Sequence, residues 1–333
     1  MTKAKRQMQE DLKLIDLIIE LVDARIPLSS RNPDIDELGK NKARLILLNK
    51  SDLADERYNE QWSAYFQKKG FYVVKVNAKS GAGLKSIQSV IQEACKAKIE
   101  RDRRRGIKNR PIRAMVVGIP NVGKSTFINS YAGKACAKTG NKPGVTKGKQ
   151  WIRLNKTLEL LDTPGILWPK FEDQEVGKRL AFIGSIKDEI LNLEELSLEL
   201  LDYIRTNYPG LLNTRYGIEE EGTPVSLLEA VADKRKCLIR GQEIDYAKAA
   251  GIVMEEFRNG KIGRITLEFP PVEEETAHED HPGELKKKLQ AASGTEREKL
   301  LELYREDTRS GVVGLVKKIR SGKRTAGERK TAD

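Results

Sequence analysis

The sequence predicts an α/β fold with a mostly parallel sheet, followed by a smaller all-α domain, and two patterns indicate this. Four apolar runs rich in Ile, Val and Leu recur with helical stretches between them, at 14–23, 43–50, 70–78 and 112–120. Near-continuous apolar runs are typical of parallel strands that helices cover on both faces. From residue 174 onward, apolar residues fall at three- and four-residue spacings, which predicts helices rather than strands.

These patterns divide the chain into three parts. Residues 1–174 form the predicted α/β domain, which ends with an antiparallel strand pair, and residues 175–268 form the predicted helical domain. After Pro270 and Pro271 the composition becomes acidic and then rich in Lys and Arg. We expect residues 269–333 to be a charged, partly disordered tail. A solvated surface and an RNA-contacting arm are both open interpretations of it.

Basic residues exceed acidic ones and are concentrated in two segments. The chain has 61 Lys and Arg against 49 Asp and Glu, a formal net charge of +12. Nine basic residues lie between Lys96 and Arg113, which we interpret as a basic linker, and five lysines lie between Lys134 and Lys149. Either block alone is equally typical of a solvated surface. Together with the overall excess they favour a polyanionic partner, with RNA the leading candidate.

No apolar run is long enough to predict a membrane span. The longest candidate, at 12–24, is interrupted by Asp16, Glu20 and Asp23, and a span needs about 18 apolar residues. Because the N-terminal residues are polar as well, we expect a cytoplasmic protein, and we expect it to be a monomer. Three cysteines lie far apart and form no CxxC pair, which argues against zinc and against a disulfide framework: Cys95, Cys136 and Cys237.

The stretch "GIPNVGKST", residues 118–126, fits the phosphate-binding pattern GxxxxGKS. Gly118 and Gly123 allow backbone N–H groups to turn toward phosphates. Lys124 supplies a cation to the β and γ oxygens, and Ser125 offers an oxygen to Mg²⁺. A predicted strand precedes the loop and a predicted helix follows it, as this motif requires. We expect the nucleotide to contact six residues here: Asn121, Val122, Gly123, Lys124, Ser125 and Thr126.

A second motif, "LLDTPG" at 160–165, follows another predicted strand. Asp162 is suited to hold Mg²⁺ through a water molecule, and the amide of Gly165 can sense the γ-phosphate. Between the two motifs, Thr146 is the residue that we expect to complete the metal shell. The predicted catalytic set is Lys124, Thr146 and Gly165, and the predicted Mg²⁺ ligands are Ser125, Thr146 and Asp162.

The stretch "LLNKSD", residues 47–52, predicts that the base is guanine. The carboxylate of Asp52 can accept from the ring N–H and the exocyclic amine together, Asn49 can also bond the base, and Lys50 can pack over the ring. Adenine would leave this carboxylate, which we expect to be buried, unpaired, and mismatches of this kind give roughly 10⁴–10⁵-fold discrimination. The stretch "VNAKSG" at 76–81 supplies a loop behind the base, with Asn where G proteins usually have Ser. The predicted base-binding set is Asn49, Lys50, Ser51, Asp52, Asn77 and Ala78.

The order of these motifs indicates a circularly permuted P-loop GTPase fold. Ordinary G proteins carry the phosphate loop first and the guanine motifs last. Here the guanine motifs precede the phosphate loop, Thr146 and "LLDTPG". The original chain ends are then joined by the basic linker at 96–113, and the second switch leads directly into the helical domain. We therefore expect hydrolysis of GTP to reorient that domain.

Six stretches within residues 1–268 resemble those of the YlqF/RbgA family of bacterial ribosome-biogenesis GTPases. They are 16–33, 45–55, 113–129, 142–154, 160–170 and 243–268. The resemblance implies a role in late maturation of the large (50S) ribosomal subunit, with the helical domain docking on rRNA. It also implies stimulation by K⁺ with Asn121 as a ligand. The less favoured alternative is that Asn121 serves only as a polar residue in a tight turn.

Two departures affect the expected activity. Ile166 and Leu167 follow the "DTPG" motif where Ras-like proteins have a water-orienting glutamine. The family carries an N-terminal histidine in a "WFPGHM" stretch, whereas this sequence begins "MTKAKRQ". We therefore expect slow turnover, about 10⁻⁴–10⁻³ s⁻¹, that ribosomal subunits stimulate. The alternatives are a GTP-dependent rRNA-binding switch with negligible turnover and a tRNA-modification G protein, which would need a modification domain.

Overall fold

The computed structural model describes residues 3–107, 110–133, 150–162 and 173–271. Its sheet has six strands in the spatial order β3-β2-β1-β4-β6-β5. Every neighbouring pair is parallel except β5 with β6, which is antiparallel. The predicted parallel sheet and antiparallel pair are confirmed. The strands are β1 (Leu17–Asp23), β2 (Ala43–Asn49), β3 (Tyr72–Lys75), β4 (Ile112–Val117), β5 (Gln150–Arg153) and β6 (Leu158–Asp162).

Eleven α-helices lie in the described part of the chain. Several begin where a short polar side chain caps the first turn. Asp55, for example, accepts from the backbone N–H of Arg57. The helices are α1 (Lys3–Leu12), α2 (Asp34–Leu38), α3 (Glu56–Lys68), α4 (Leu84–Ala94), α5 (Lys96–Arg104), α6 (Lys124–Ala132), α7 (Gln174–Phe182), α8 (Leu193–Asn207), α9 (Leu211–Tyr216), α10 (Pro224–Arg235) and α11 (Tyr246–Arg258).

The central strands are buried on both faces because helices cover both sides of the sheet. Every residue of β1 is buried. The first face packs Leu12 and Ile35 against Ile18 and Met115, and α3 adds Trp62 nearby. The opposite face packs against α4, α6 and the helices that follow β6. Both faces therefore exclude water, which explains the continuous apolar runs in the sequence.

The segment that we interpreted as a linker is largely regular structure. Its first nine residues form α5, and its last two begin β4. Lys98 in this helix is only 11% exposed, since its ammonium lies 2.9 Å from Asp102 and 3.4 Å from Asp16. An intrahelical pair at i, i+4 stabilises a short helix of this kind. Part of the basic charge is therefore paired within the fold.

Residues 1–270 form one compact unit. After α11 the chain returns to the sheet, where Ile265 N donates to Leu53 O (3.0 Å) and Leu267 N donates to Arg25 O (2.9 Å). Trp62 Nε1 donates to Glu268 O (2.9 Å) in the same region. A boundary at 174/175 stays a prediction, and the residues from 272 to 333 lie outside the described part of the chain.

Two further expectations concern membranes and cysteines. No helix in the described ranges combines the length and apolar character that a bilayer span requires. Cys95 and Cys237 are buried and free, whereas Cys136 lies outside the described residues. Burial, together with the charge of Asp16, raises the pKa of Cys95 to about 11. This thiol therefore stays protonated and packs as an apolar side chain.

Candidate functional site

The predicted motifs meet at one edge of the sheet. β1, β2, β4 and β6 run parallel, so their carboxyl ends lie at the same edge. The guanine motif follows β2, the phosphate loop follows β4, and Asp162 is the last residue of β6. Open α/β sheets bind ligands at this edge. The permuted order of the motifs therefore does not prevent them from reaching a common site.

The phosphate loop requires glycine at two positions. A Cβ on Gly118 would lie 2.7 Å from the carbonyl oxygen of Leu21 in β1. Gly123 caps α6 with φ +101°, and a Cβ there would lie 2.5 Å from Asn49 Nδ2. The loop is therefore held tightly between β1 and the guanine motif. Ser125 and Thr126 follow in the first turn of α6 and are half-buried.

Lys124 lies over this loop. Its Nζ donates to Gly118 O (2.9 Å) and Ile119 O (3.1 Å), and the residue is 8% exposed. Its charge and the N-terminus of α6 therefore act on the same small volume. Both favour an anion there.

Replacing Gly123 with alanine is expected to destabilise the protein and weaken nucleotide binding. The substitution combines a strained φ with the contact to Asn49, so we expect unfolding to become easier by about 1–3 kcal/mol. Urea denaturation and nucleotide titration measure the two effects.

Gly70→Ala is the matched control for this substitution. Gly70 has φ +82°, and the described residues place no heavy atom within 4 Å of an added Cβ. Equal losses of stability in the two variants would contradict a steric role for the Asn49 contact.

Asn49 joins three loops. Its Nδ2 donates to Val122 O (2.7 Å) in the phosphate loop, and its Oδ1 accepts from Ala78 N (3.0 Å) in the loop behind the base. The side chain is almost completely buried at the end of β2. Asn49 thus positions the phosphate loop relative to both base loops. Its predicted hydrogen bond to guanine stays a prediction.

Lys50 and Asp52 lie in the same turn but differ in burial. Lys50 has φ +56°, its Nζ lies 3.0 Å from Asp23 Oδ2, and it donates to Asn121 O (3.0 Å). Burial lowers the pKa of Lys50, while the charge of Asp23 opposes that shift. The side chain keeps 24% of its surface exposed. Asp52 is exposed at the surface of the turn, so the expected burial of its carboxylate is not seen in this structure. The predicted contacts of both residues with guanine remain predictions.

The loop behind the base is ordered by its own asparagine. Asn77 Oδ1 accepts from Lys79 N and Ser80 N (3.0 Å each), so its side chain closes a turn. Ser51 Oγ donates to Val76 O (3.1 Å), and Ser130 Oγ in α6 donates to Ala78 O (2.6 Å). Asn77, which replaces the usual serine, therefore has its own hydrogen-bond partners within the loop.

A buried ion cluster lies directly behind the site, and the sequence analysis did not identify it. Asp23 accepts two hydrogen bonds from the Arg25 guanidinium (2.9 Å each) and is also paired with Lys50. Burial by itself would raise the pKa of Asp23, but Arg25 and Lys50 outweigh burial and hold its pKa well below the usual range. Charged residues inside an apolar strand were the available signal.

The phosphate loop also contacts the end of α7. Asn121, with φ +60°, donates from Nδ2 to Gly184 O (2.6 Å), and Ser185 Oγ donates to Pro120 O (2.8 Å). Arg258 at the end of α11 donates to the carbonyls of Ala181 and Phe182 (2.8 and 2.9 Å). The helical region is thus hydrogen-bonded to the phosphate loop. The sequence motifs do not predict this connection.

Three predicted residues cannot be placed in this geometry. Thr146 and Gly165 lie outside the described residues, and of Asp162 only the backbone is described. That backbone pairs with Val116 of β4, next to the start of the phosphate loop. The strand therefore ends beside the loop as the motif order requires.

Comparison with known proteins identifies the family. Residues 113–220 match the model of a 50S ribosome-binding GTPase. The ribosome biogenesis GTPase A of Bacillus cereus is 52% identical over 271 residues, which are 81% of this chain and 92% of that relative. The chain belongs to the ribosome biogenesis GTPase A family (RbgA/YlqF). As a member of this family, it is a GTPase.

More distant relatives agree with this assignment. The ribosome biogenesis GTPase A of Thermotoga maritima is 31% identical over 277 residues, 82% of this chain and 95% of that relative. A crystal structure of GNP-bound YlqF from T. maritima is 29% identical, with a TM-score of 0.58, and covers 81% of this chain and 99% of that chain. The predicted family and fold are confirmed. In the tail, residues 283–330 match the model of the ribonuclease HII N-terminal domain.

Proposed function

We propose that this GTPase binds GTP with Mg²⁺ at the carboxyl edge of the sheet and acts in late assembly of the large ribosomal subunit. Asn49 is the observation that carries the site assignment. A single side chain bonds the phosphate loop and the loop behind the base, so these segments form one nucleotide site. The partner is supported by the names of the matched family and relatives.

Mg²⁺ fits a shell that the nucleotide helps to form. Among the described residues, no group of three or more His, Cys, Asp or Glu could hold a metal ion. Hard cations prefer oxygen ligands, and the sequence motifs supply two hydroxyls and a carboxylate: Ser125, Thr146 and Asp162. When bound, Mg²⁺ neutralises charge that develops on the β and γ oxygens. Lys124 acts on the same oxygens, and the amide of Gly165 reports the γ-phosphate.

K⁺ is proposed as a second cation at Asn121. Asn121 Nδ2 donates to Gly184 O, and this hydrogen bond orients the side-chain amide. The amide oxygen is then the proposed ligand of K⁺. We expect Asn121→Ala to abolish the advantage of K⁺ over Na⁺ in phosphate release while GTP binding changes only a few-fold. Ser185→Ala is the control, because it removes a neighbouring loop contact without removing an amide oxygen. An unchanged K⁺ preference in Asn121→Ala would contradict the assignment.

The partner is proposed to be the 50S precursor and its rRNA, contacted by the helical region while the protein is a cytoplasmic monomer. The net charge of +12 is compatible with a polyanion of this kind. Contacts from the end of α7 to Pro120 and Asn121 provide a route by which nucleotide state can alter that region.

Phosphate release with and without purified 50S subunits, in K⁺ and in Na⁺, tests the proposal. We expect slow release alone and a clear increase when subunits and K⁺ are both present. No increase with subunits in either salt would contradict a ribosome-stimulated GTPase.

A GTP-dependent rRNA-binding switch is the second candidate. Ile166 and Leu167 follow the "DTPG" motif and neither can orient water. Tight RNA binding in the GTP state, with turnover that subunits do not raise, would favour this switch over the enzyme.

A further inference from the structure

An exposed tryptophan lies on an edge strand, outside the residues assigned to GTP. Trp151 in β5 is 42% exposed, and β5 ends the sheet. Side chains alternate along a strand, so Trp151 and Arg153 share one face and Ile152 is buried on the other. Large aromatic side chains at an exposed edge are a liability for aggregation unless they have a partner.

The tryptophan lines a cleft of about 240 Å³ together with Leu14, Arg113, Arg153 and Glu159. This is smaller than the roughly 300–1,000 Å³ of sites for drug-sized ligands. A cleft of this size suits a single planar ring. It does not suit a double helix, whose bases are stacked and enclosed.

The polar groups of the cleft form a row across three strands. Arg113 of β4 is opposite Glu159 of β6, which is opposite Arg153 of β5. Arg113 Nε lies 3.3 Å from Glu159 Oε2, and its guanidinium carbon lies 5.3 Å from the centroid of the Trp151 ring. The carboxylate of Glu159 thus lies between two arginine positions on neighbouring strands, beside an exposed indole.

We propose that this cleft binds an unpaired nucleobase of RNA. The base stacks on Trp151, its amino or imino group donates to Glu159, and the adjoining phosphates pair with Arg153 and Arg113. Proteins read single-stranded RNA in this way, with aromatic and arginine surfaces for stacking and polar groups at the base edge. The inference rests on the proposed function in taking RNA as the partner.

Charge supports RNA over a protein as the occupant. Five lysines and no acidic residue lie between Lys134 and Lys149, directly before β5 in the sequence. Exposed Lys156 lies in the turn that joins β5 to β6. The excess of lysines attracts the phosphates of a polyanion. The carboxylate of Glu159 can accept hydrogen bonds from the N–H groups of a base.

The test is binding of a fluorescent 5′-hydroxyl single-stranded RNA of mixed sequence to the full chain saturated with GDP. Trp151→Ala is expected to weaken binding by about 5- to 150-fold, the range for loss of one base stack. Trp151→Phe keeps an aromatic face and is expected to retain most of the affinity. Arg153→Gln is expected to weaken binding less and to reduce its dependence on salt.

Tyr72→Ala is the matched control, since Tyr72 is 37% exposed on β3 at the opposite edge of the sheet. Its RNA affinity is expected to equal that of the wild type, and GDP binding by all variants reports that they are folded. Equal affinity of Trp151→Ala and wild type, or no RNA binding by the wild type, would overturn the inference. If only binding to 50S subunits falls, the cleft contacts a ribosomal protein and the nucleobase assignment is wrong. GTP hydrolysis stimulated by subunits remains a separate measurement, so either failure leaves the proposed GTPase function testable.

Discussion

Asp52→Asn is expected to move the base preference of the site from guanine to xanthine. In the predicted contact, the carboxylate accepts from two N–H groups of guanine, and an amide in its place would present a donor toward the guanine amine. Xanthine has a carbonyl at that position, so the amide pairs with it. Because buried or apposed polar mismatches give roughly 10⁴–10⁵-fold discrimination, we expect a loss of GTP affinity by several orders of magnitude.

Equilibrium titration with GTP, XTP and ATP measures this change in base preference. Asp52 is exposed at the turn after β2, so the variant is expected to fold normally. Recovery of affinity with XTP separates loss of base recognition from damage to the site. If Asp52→Asn binds GTP as the wild type does and still prefers it over ATP, guanine recognition by this residue is wrong.

The sequence predicts the fold well because the apolar runs that mark strands and the glycines of the phosphate loop are local features of the sequence. Apolar runs predict β1, β2 and β4, and the antiparallel pair predicted at the end of the α/β domain is β5 with β6, as the structure confirms. The phosphate loop is equally predictable, since its glycines satisfy a backbone requirement that the surrounding strands impose.

Side-chain partners are much less predictable because they depend on contacts between distant segments. Asn49 was predicted to bond guanine, and the structure shows it bonded to Val122 and Ala78. The linker from Lys96 to Arg113 was predicted from charge alone. Lys98 in its helix α5 is also paired with Asp16, a contact with a distant segment that spacing within 96–113 cannot reveal. Asp23 was noted only as an interruption in an apolar run.

The link between the nucleotide loop and the helices changes how the permutation is understood. The motif order already suggested that the second switch leads directly into the helical region. The structure adds a second connection, because Asn121 and Pro120 bond Gly184 and Ser185 beyond α7. Arg258 then ties the end of α7 to α11. A shift of the loop therefore has a bonded path to the helices that does not depend on the switch itself.

Asp23→Asn is expected to cost about 3–5 kcal/mol of unfolding free energy at neutral pH, because it leaves the buried Arg25 and the partly buried Lys50 without a carboxylate. Asp23 is fully buried and Arg25 is 1% exposed. GTP affinity should also fall, since Lys50 connects this cluster to Asn121. Urea denaturation at pH 7 measures the stability change, and nucleotide titration measures the second effect.

Asp188→Asn is the matched control, because the Asp188–Arg258 pair has a similar separation of 2.8 Å but the carboxylate is 44% exposed. A surface pair of this kind contributes at most about 1 kcal/mol. The dependence on pH has a definite sign, since the folded pKa of Asp23 lies below its ordinary value of 3.8. Its stabilisation is complete above that value and is lost as pH falls toward the folded pKa. The difference in unfolding free energy between wild type and Asp23→Asn should therefore be constant from pH 6 to 8. It should become smaller only in acid. A cost no larger than that of Asp188→Asn would contradict a stabilising role for the buried cluster, and an unchanged GTP affinity would contradict its connection to the phosphate loop.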